Sequence, residues 1–527
     1  MLARIPAKAA PELEIKFQLG AGAREALERE LFPPGTAQVS QLHATYFDTP
    51  THRMRDGGFS LRVRRNGDHY VQTLKHNQGG GLFQRQEWET PVAGPELDLA
   101  ALKGTPAEAA AGDAALEPAF TVEVERRVHV WTHGRTRIEV SLDAGVITAG
   151  DRHEVVAELE LELVSGSAKA LFALAHQLQD KAALTLLFES KAARGYRLAG
   201  HDGVAALKAQ QTAVGPATTG AEAFQLIARE ALVQVAGNAR LLQRSHSPEV
   251  LHQARVGLRR LRAALSAFRQ MLDAEGLNHA RAETKWLAGE LSEARDLDVF
   301  LHRTGGADEV EDDPRRAAFL RALRLAQAEA YDKALAAVGS ARFRALLLRL
   351  ADWIEAGAWK RLAGDEPRRL REGPVSALAG AMMDRLDRRL RKRSRKFMGI
   401  DAQARHDLRK QAKKLRYAAA FFGGAFPKHP KRRERFVAAL RTLQDRLGEI
   451  NDMTVARTVA MRAVDGRSRE VAFAAGLEVG RLTTDEAQAL DAANAAFKAF
   501  RKAPRFWESP DRRNDDIKVS PPRLRSV

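Results

Sequence analysis

The chain divides by the period of its apolar residues. From residue 12 to about 200 they fall at every second position, the mark of strands with two unlike faces. Alternation is plain in LEIKFQL, FSLRVRR, YVQTLK, FTVEVERRVHVW, TRIEVSLDAG and HEVVAELELELV. Gly57-Gly58, Asn66-Gly67 and Gly79-Gly80-Gly81 supply turns between such strands. Two stretches, 22–31 and 167–184, read as helices. The small, polar segment near 201–220 reads as a linker. Beyond it, Ala-, Leu- and Arg-rich sequence keeps a 3.6-residue period to about 503, and residues 508–527 lack a core pattern and read as a disordered tail.

The helical half contains an internal repeat. His252, Arg255, Arg259 and Arg262 return 154 residues later as His406, Arg409, Lys413 and Arg416. Leu287, Leu291, Asp296 and Val299 return at an offset of 156 as Leu443, Leu447, Asp452 and Val455. Two copies of one multi-helix unit, differing by a small indel, explain both offsets.

Composition narrows the class. With 527 residues and 45% apolar content, two or three units with real cores are expected. The absence of cysteine excludes a disulfide framework, a thiolate nucleophile and a zinc-cysteine site, and fits a reducing cytoplasm. The N-terminus MLARIPAKAAPELEIKF has no apolar signal core, and no run of about 18 apolar residues occurs. A soluble, cytoplasmic protein without a membrane partner is the expectation. Residues 1–215 carry 24 Lys and Arg against 27 Asp and Glu, while residues 216–527 carry 60 against 40. The positive excess of the second part implies a polyanionic partner.

In the strand half, single faces carry clustered charge of one sign. Glu12, Glu14 and Lys16 share a face in Glu12-Leu13-Glu14-Ile15-Lys16, a pattern that an ordinary solvated strand would also show. Arg62 and Arg64 share one, as do Glu87 and Glu89, the set Glu139, Ser141 and Asp143, and the set Glu158, Glu160 and Glu162. Glutamates repeated at period two repel unless cations neutralise them. A closed antiparallel barrel with a charged lumen resolves this, its acidic side suited to Mg²⁺ or Mn²⁺ and its basic side to phosphates.

Glu12-x-Glu14-x-Lys16, TYFDT at 45–49, LRVR at 61–64, TLK at 73–75, the Glu-rich strand at 158–162 and SKAARGY at 190–196 together resemble a CYTH domain. That family is also known as the triphosphate tunnel metalloenzymes. The resemblance implies an eight-stranded tunnel that hydrolyses or cyclises triphosphates with a divalent metal. It implies metal binding by Glu12, Glu14, Glu158, Glu160 and Glu162. Phosphate would be held by Lys16, Arg62, Arg64, Lys75, Arg126 or its neighbour Arg127, and Arg194, with help from Lys191. Glu14, Lys16 and Lys75 are the candidate catalytic groups.

In the helical half, positions i, i+3, i+7 and i+10 lie on one stripe. His252, Arg255, Arg259 and Arg262 thus form a basic line about 15 Å long, and His406, Arg409, Lys413 and Arg416 form its copy. HQARVGLRRLR, ARDLDV, HDLRKQAKKLRYAAAFFG and LGEINDMTVA resemble a CHAD domain, the conserved-histidine α-helical domain. The resemblance implies two pseudo-symmetric four-helix bundles whose basic faces line a cleft that binds inorganic polyphosphate. Asp296, Asp298 and Asp452 read as caps or arginine partners rather than metal ligands. RRLRKRSRK at 388–396 reads either as an extension of the basic cleft or as a solvated helix end. The scarcity of aromatics argues against single-stranded nucleic acid as the ligand.

The expectation is therefore a multidomain α+β protein. A β tunnel (1–203) and a linker (204–220) precede a helical domain (221–507, with copies about 221–370 and 371–507). It is expected to hydrolyse inorganic triphosphate and to bind polyphosphate, granules of which would set its address. Rivals are thiamine or nucleoside triphosphate as substrate, cyclisation of ATP, and a polyphosphate-targeting protein with little catalysis.

Overall fold

The computed structural model describes residues 13–32, 35, 37–76, 86–200, 205–210, 214–305, 313–464, 468–484 and 486–507. Glu12, the Gly79-Gly80-Gly81 turn and the tail 508–527 lie outside these residues. The strands are β1 (Glu14–Leu19), β2 (Gln38–Asp48), β3 (Phe59–Asn66), β4 (His69–His76), β5 (Gln86–Val92), β6 (Glu117–His133), β7 (Thr136–Ala149), β8 (Arg152–Ser165) and β9 (Leu184–Leu186). With them run α1 (Ala23–Leu31), α2 (Arg53–Asp56), α3 (Ala107–Ala111), α4 (Ala168–Lys181) and α5 (Lys191–Ala199). The strands form one antiparallel sheet in the order β5-β4-β3-β2-β6-β7-β8-β1-β9, so β5 and β9 are its edges. Nine strands stand where eight were expected, because β9 is only Leu-Thr-Leu. Three residues are too few to show an alternation.

Period-two alternation separates the two faces of this sheet. Ile15, Phe17, Val140, Leu142, Leu159 and Leu161 are fully buried on the outer face, in one cluster with Leu27 of α1 and Leu171 and Phe172 of α4. Leu61, Val63 and Leu74 pack on Met54 of α2 and Ala107 of α3. Each such fully buried side chain contributes about 1.5–3 kcal/mol. The inner face holds the charged positions, and α5 covers one end of it. Ala192 and Tyr196 of α5 pack there on Tyr46, Phe120, Val122 and Ile147.

The second half is helical: α6 (Gly220–Leu242), α7 (Pro248–Ala267), α8 (Ala274–Glu290), α9 (Ser292–Arg303), α10 (Pro314–Gly339), α11 (Ala341–Ala356), α12 (Asp365–Glu372), α13 (Val375–Ser394), α14 (Ala402–Phe422), α15 (Pro430–Ala463), α16 (Arg469–Thr483) and α17 (Glu486–Lys502). Thr219 and Glu222 start α6 with a reciprocal capping box, and Ser247 caps α7 ahead of Pro248. The repeat pairs α6 with α13 and α7 with α14. The single helix α15 answers α8 and α9 together. Gly220 N donates to Gly373 O at 3.0 Å, and Val375 N donates to Thr218 O at 2.9 Å. This reciprocal pair ties the starts of the two copies about a local twofold. Gly220 has to be glycine there, since a Cβ would lie 1.9 Å from the Leu370 carbonyl oxygen.

The two halves share apolar packing. Outer-face residues of β1 and β8 belong to the same buried cluster as Phe224 of α6 and Leu346 and Leu350 of α11. His176 of α4 meets Asp352 of α11 at 3.1 Å, and Gln179 donates to the Arg344 carbonyl at 3.2 Å. Within the segment read as a linker, Asn238 binds both backbone groups of Leu207, and Val214 is buried.

Candidate functional site

In an antiparallel pair, directly opposed residues project to the same face. Glu14, Lys16 and Gln18 of β1 oppose Glu162, Glu160 and Glu158 of β8. Across β8 stand Glu139, Ser141 and Asp143 of β7, and Asp143 in turn opposes Arg126 of β6. Farther round the same face, Tyr46 opposes Arg62, Ala44 opposes Arg64, Ser60 opposes Lys75, and Lys75 opposes Glu87. The inner face thus has an acidic wall on β1, β7 and β8 and a basic wall on β3, β4 and β6.

Each buried charge on the acidic wall has a partner, as burial in a low-dielectric site requires. Lys16 Nζ lies 2.7 Å from Glu14 Oε1 and 2.5 Å from Glu160 Oε1. Lys191 Nζ sits 2.8 Å from Asp143 Oδ2, 2.6 Å from Glu158 Oε2 and 2.9 Å from Glu160 Oε1. Arg126 grips Asp143 with Nε at 2.7 Å and Nη2 at 2.6 Å, and its Nη2 also reaches Glu160 Oε2 at 2.6 Å. Arg194, itself buried, binds Glu158 and Glu154. Glu162 is half-buried on the same face.

The electrostatics follow from this crowding. Burial pushes the Glu160 carboxyl up, but Lys16, Lys191 and Arg126 outweigh it and hold the group well below the usual carboxylate range. For Asp143, burial is likewise overcome, first by Lys191 and then by Arg126. The Lys191 ammonium is held well above its ordinary value: burial opposes its charge, and Asp143, Glu158 and Glu160 more than compensate.

On the basic wall, Lys75 pairs with Glu87 at 2.8 Å and Arg64 lies 3.8 Å from Glu89. Arg62 Nη1 donates to the Tyr46 hydroxyl at 3.4 Å, while its buried Nε has no partner among the described residues. Burial raises the Tyr46 phenol, yet Arg62, Lys75 and Lys191 leave it below its ordinary value.

Three oxygens, from Asp143, Glu158 and Glu160, converge on the single ammonium of Lys191. They are hard donors of the kind Mg²⁺ and Mn²⁺ take, gathered where a cation already sits, so the donor chemistry fits a divalent ion. Among the described residues no group of three or more His, Asp or Glu is arranged to hold a metal by itself. Lys and Arg engage these carboxylates.

Several expectations are sharpened by the register. Arg126, not Arg127, faces the acidic wall; Arg127 turns to the other face, 3.1 Å from Glu125 and 3.4 Å from Glu28. Glu14, Lys16, Arg62, Arg64, Lys75, Glu158, Glu160 and Glu162 share the inner face, and α5 brings Lys191 and Arg194 to it. Asp143 and Tyr46 were not among the candidate site residues. Asp143 was legible as a face-mate of Glu139 and Ser141, whereas Tyr46 sits within TYFDT with no charge to draw notice.

In the helices, the two basic stripes face one another. Arg259 Nε of α7 donates to the hydroxyl of Tyr417 on α14 at 3.3 Å. Burial and then Arg409, Arg259 and Arg416 bring the Lys413 ammonium down to about 7. His252 is brought down to about 4 by burial, Arg295 and Arg259. Arg255 Nη1 donates to Ala288 O at 3.1 Å and Arg409 Nη1 to Asn451 Oδ1 at 3.0 Å. Buried nitrogens of His252, Arg255, Arg409 and Arg416 have no acceptor among the described residues. Arg262 is exposed and His406 half-buried along the same lines. Stripes with cations pressed together and donors unmet suit an anionic ligand.

Two of the three neighbouring acids, Asp296 and Asp452, lie near these cations. Burial holds the Asp296 carboxyl above its ordinary value although Arg255 opposes this, and Asp452 lies 3.9 Å from Arg303. Asp298 accepts from Gln327 at 2.8 Å and from Tyr331 at 3.0 Å. Most cations of the 388–396 run are exposed, as at a solvated helix end, and Arg391 fits neither reading. Arg391 is structural, 2.7 Å from Asp387 and bonded to the Ala503 carbonyl, while Arg389 lines a hollow of about 130 Å³ with Arg269, Arg385, Lys414 and Tyr417.

A curled antiparallel sheet with a charged inner face, joined to a duplicated helical bundle with opposed basic stripes, defines a two-module protein. The family model of the CYTH domain matches residues 10–196, and that of the CHAD domain matches residues 226–460. The chain is a CYTH–CHAD protein. It is 31% identical over 160 residues to the inorganic triphosphatase of Haemophilus influenzae, covering 30% of this chain and 46% of that protein. The chain thus spans about half the length of this curated relative. The solved CHAD domain from Ricinus communis is 28% identical with a TM-score of 0.50, over 57% of this chain and 99% of that one. A Hippeastrum protein described as having a dominant triphosphatase activity is 18% identical with a TM-score of 0.26, over 34% and 91%.

Proposed function

We propose that the inner face of the sheet hydrolyses inorganic triphosphate to pyrophosphate and phosphate with Mg²⁺ or Mn²⁺, and that the stripes of α7 and α14 bind inorganic polyphosphate. The observation that carries the first part is the convergence of Lys16, Arg126 and Lys191 on Glu160 and its neighbours, beside a second wall of Arg62, Arg64 and Lys75. The name of the Haemophilus influenzae relative supports the choice of substrate.

Phosphoryl transfer is mainly positioning and charge neutralisation, which is what this face offers. Glu14, Asp143, Glu158 and Glu160 would hold the metal, with Glu162 at the margin; when bound, it supplies Lewis-acid polarisation of phosphate oxygens and lowers the pKa of bound water. Lys16, Arg62, Arg64, Lys75 and Arg126 bind the phosphate oxygens, and the unpartnered Nε of Arg62 is a donor ready for one of them. Asp143 and Glu158 keep Lys191 protonated against the wall.

Phosphate release from inorganic triphosphate, ATP and thiamine triphosphate, with Mg²⁺ and with Mn²⁺, tests the reading. Turnover is expected to favour inorganic triphosphate, and Glu14→Ala and Lys16→Ala are each expected to lower it by about 100-fold or more. Equal rates in wild type and both variants would defeat it. For the helices, long-chain polyphosphate should bind and weaken steeply between two salt concentrations. Replacement of His252 and Arg259 should lower that affinity, and unchanged binding would remove the assignment. Binding without any turnover would favour the polyphosphate-targeting alternative.

A further inference from the structure

Two arginines of the helical half, Arg240 and Arg244, reach into the sheet. Arg240, near the end of α6, has every branch of its guanidinium committed. Nε donates to Gln18 Oε1 at 2.9 Å, Nη1 to Glu189 Oε2 at 2.5 Å, and Nη2 to Glu154 Oε1 at 2.7 Å. These partners stand on three separate elements. Gln18 shares the inner face of β1 with Glu14 and Lys16, and Glu154 shares the inner face of β8 with Glu158 and Glu160. Glu189 lies two residues ahead of α5, which carries Lys191 and Arg194.

Glu154 is the hub. It is buried, and four guanidinium groups meet it: Arg194 at 2.8 Å, Arg197 at 3.0 Å, Arg240 at 2.7 Å and Arg244 at 3.0 Å. Arg194 then continues the line to Glu158, which shares Lys191 with Asp143 and Glu160. A contiguous chain of ion pairs therefore runs from α6 to the centre of the acidic wall. α5 is not a strand of the sheet, and the backbone tie before it is Leu187 N to Lys16 O at 2.8 Å, two residues ahead of Glu189. Ala192 and Tyr196 fix α5 by apolar contact, and polar ties to β8 run from Arg194 Nη2 to the Val155 carbonyl at 2.7 Å and from Arg152 Nη2 to the Ala199 carbonyl at 2.9 Å.

We propose that Arg240 is a positioning residue for the triphosphatase site: it braces β1, β8 and the start of α5 so that Lys191 and Arg194 meet the acidic wall. Resting on the reading proposed above, this makes the helical domain a structural part of the tunnel site: Arg244 shares the contact at Glu154, and Arg240 adds the ties to β1 and to the segment before α5. Arg240 itself touches none of the wall's metal- or phosphate-binding candidates. Outer partners of this kind are worth about 10- to 100-fold in activity or metal affinity.

The test compares wild type, Arg240→Ala, Arg240→Lys, Glu154→Gln and the double variant Arg240→Ala/Glu154→Gln as full chains. Hydrogen exchange of the 189–199 segment should quicken by about 10-fold or more in Arg240→Ala, with β7, β8 and α6 still protected. For inorganic triphosphate, kcat should fall by about 10-fold or more while KM changes by less than about threefold. Polyphosphate binding should hold, since Arg240 is on neither stripe. The double variant should lose no more than the worse single one, and Arg240→Lys, which keeps the charge but not the fork, should recover only part. Unchanged exchange of α5, unchanged kcat, or additive losses in the double variant would each overturn the brace. If Arg240→Ala also loses protection across β7 and β8, Glu189→Gln carries the same comparison, because it leaves the contacts of Arg240 with Gln18 and Glu154 in place and weakens only the pairs of Glu189 with Arg240 and Arg197. Absence of turnover in the wild type would instead overturn the reading of the tunnel, and the exchange of α5 would still decide for or against the brace.

Discussion

Gly195, inside the SKAARGY segment, shows how a single residue positions this site. A Cβ at that point would lie 2.1 Å from Cε2 of Phe120, against which α5 rests. The glycine is a matter of close approach, with no part in anion binding. Gly195→Ala is expected to destabilise the chain by about 1–3 kcal/mol in urea unfolding and to slow triphosphate turnover by moving Lys191. His252 offers a pH test. Its folded value, about 4, lies below the ordinary 6.5, so the unfolded chain takes up this proton first. Stability should drain away through this group as the pH falls from about 6.5 to about 4, with no contribution above that window. Urea midpoints at pH 7 and pH 5 should therefore differ less in His252→Gln than in wild type. At this scale the inner-facing charges were legible, since period two alone sorts Glu14 with Lys16 and Arg62 with Arg64. The partner of each charge was not, because Asp143 meets Arg126, and Glu154 meets Arg240, only through register and tertiary approach.

At the scale of elements, α7 and α14 bring the two copies of one stripe against each other, and the pressure shows at Lys413. Its ammonium is lowered to about 7 by burial and by the cations of both stripes. A polyanion favours the protonated form, so binding takes up a proton and affinity falls as pH rises through about 7. Polyphosphate titrations at pH 6 and pH 8 should show weaker binding at pH 8. Lys413→Arg, always charged, should flatten that difference. The stripes were legible from i, i+3, i+7 spacing, and the duplication from the recurrence of His252 as His406. The indel between the copies falls between Arg262 and Ala274 in one and Arg416 and Pro430 in the other, around a turn that tolerates it. That the stripes face each other was not legible. The Arg259–Tyr417 bond and the twofold pairing of Gly220 with Gly373 depend on how the copies dock.

Across the whole molecule, the sheet and the helices are not beads on a string. The buried cluster passes from Phe17 and Leu161 through Leu171 to Phe224 and Leu346 without interruption. Calorimetry of the full chain should show the tunnel domain unfolding together with the first helical copy. A fragment ending at residue 200 should unfold roughly 5 °C lower or more than the sheet within the full chain. Composition had marked the change of texture near residue 201 and the charge step behind it. It carried no sign that α11 packs on α4, because an apolar helix face does not state its partner.

The saturated acidic wall has a consequence for salt. Its carboxylates are already matched by the chain's own Lys and Arg, so arrival of a metal-bound triphosphate on the proposed reading swaps ionic partners and leaves the number of pairs nearly constant. Few small ions need leave or enter solution, and buried pairs are screened little. The stripes of α7 and α14 have a lighter counterweight in Asp296 and Asp452 and keep buried nitrogens without acceptors among the described residues, so a polyanion there must displace condensed ions. Ionic strength then separates the two chemistries of one chain: a concentration of salt that strips polyphosphate from the helices leaves turnover in the sheet almost untouched.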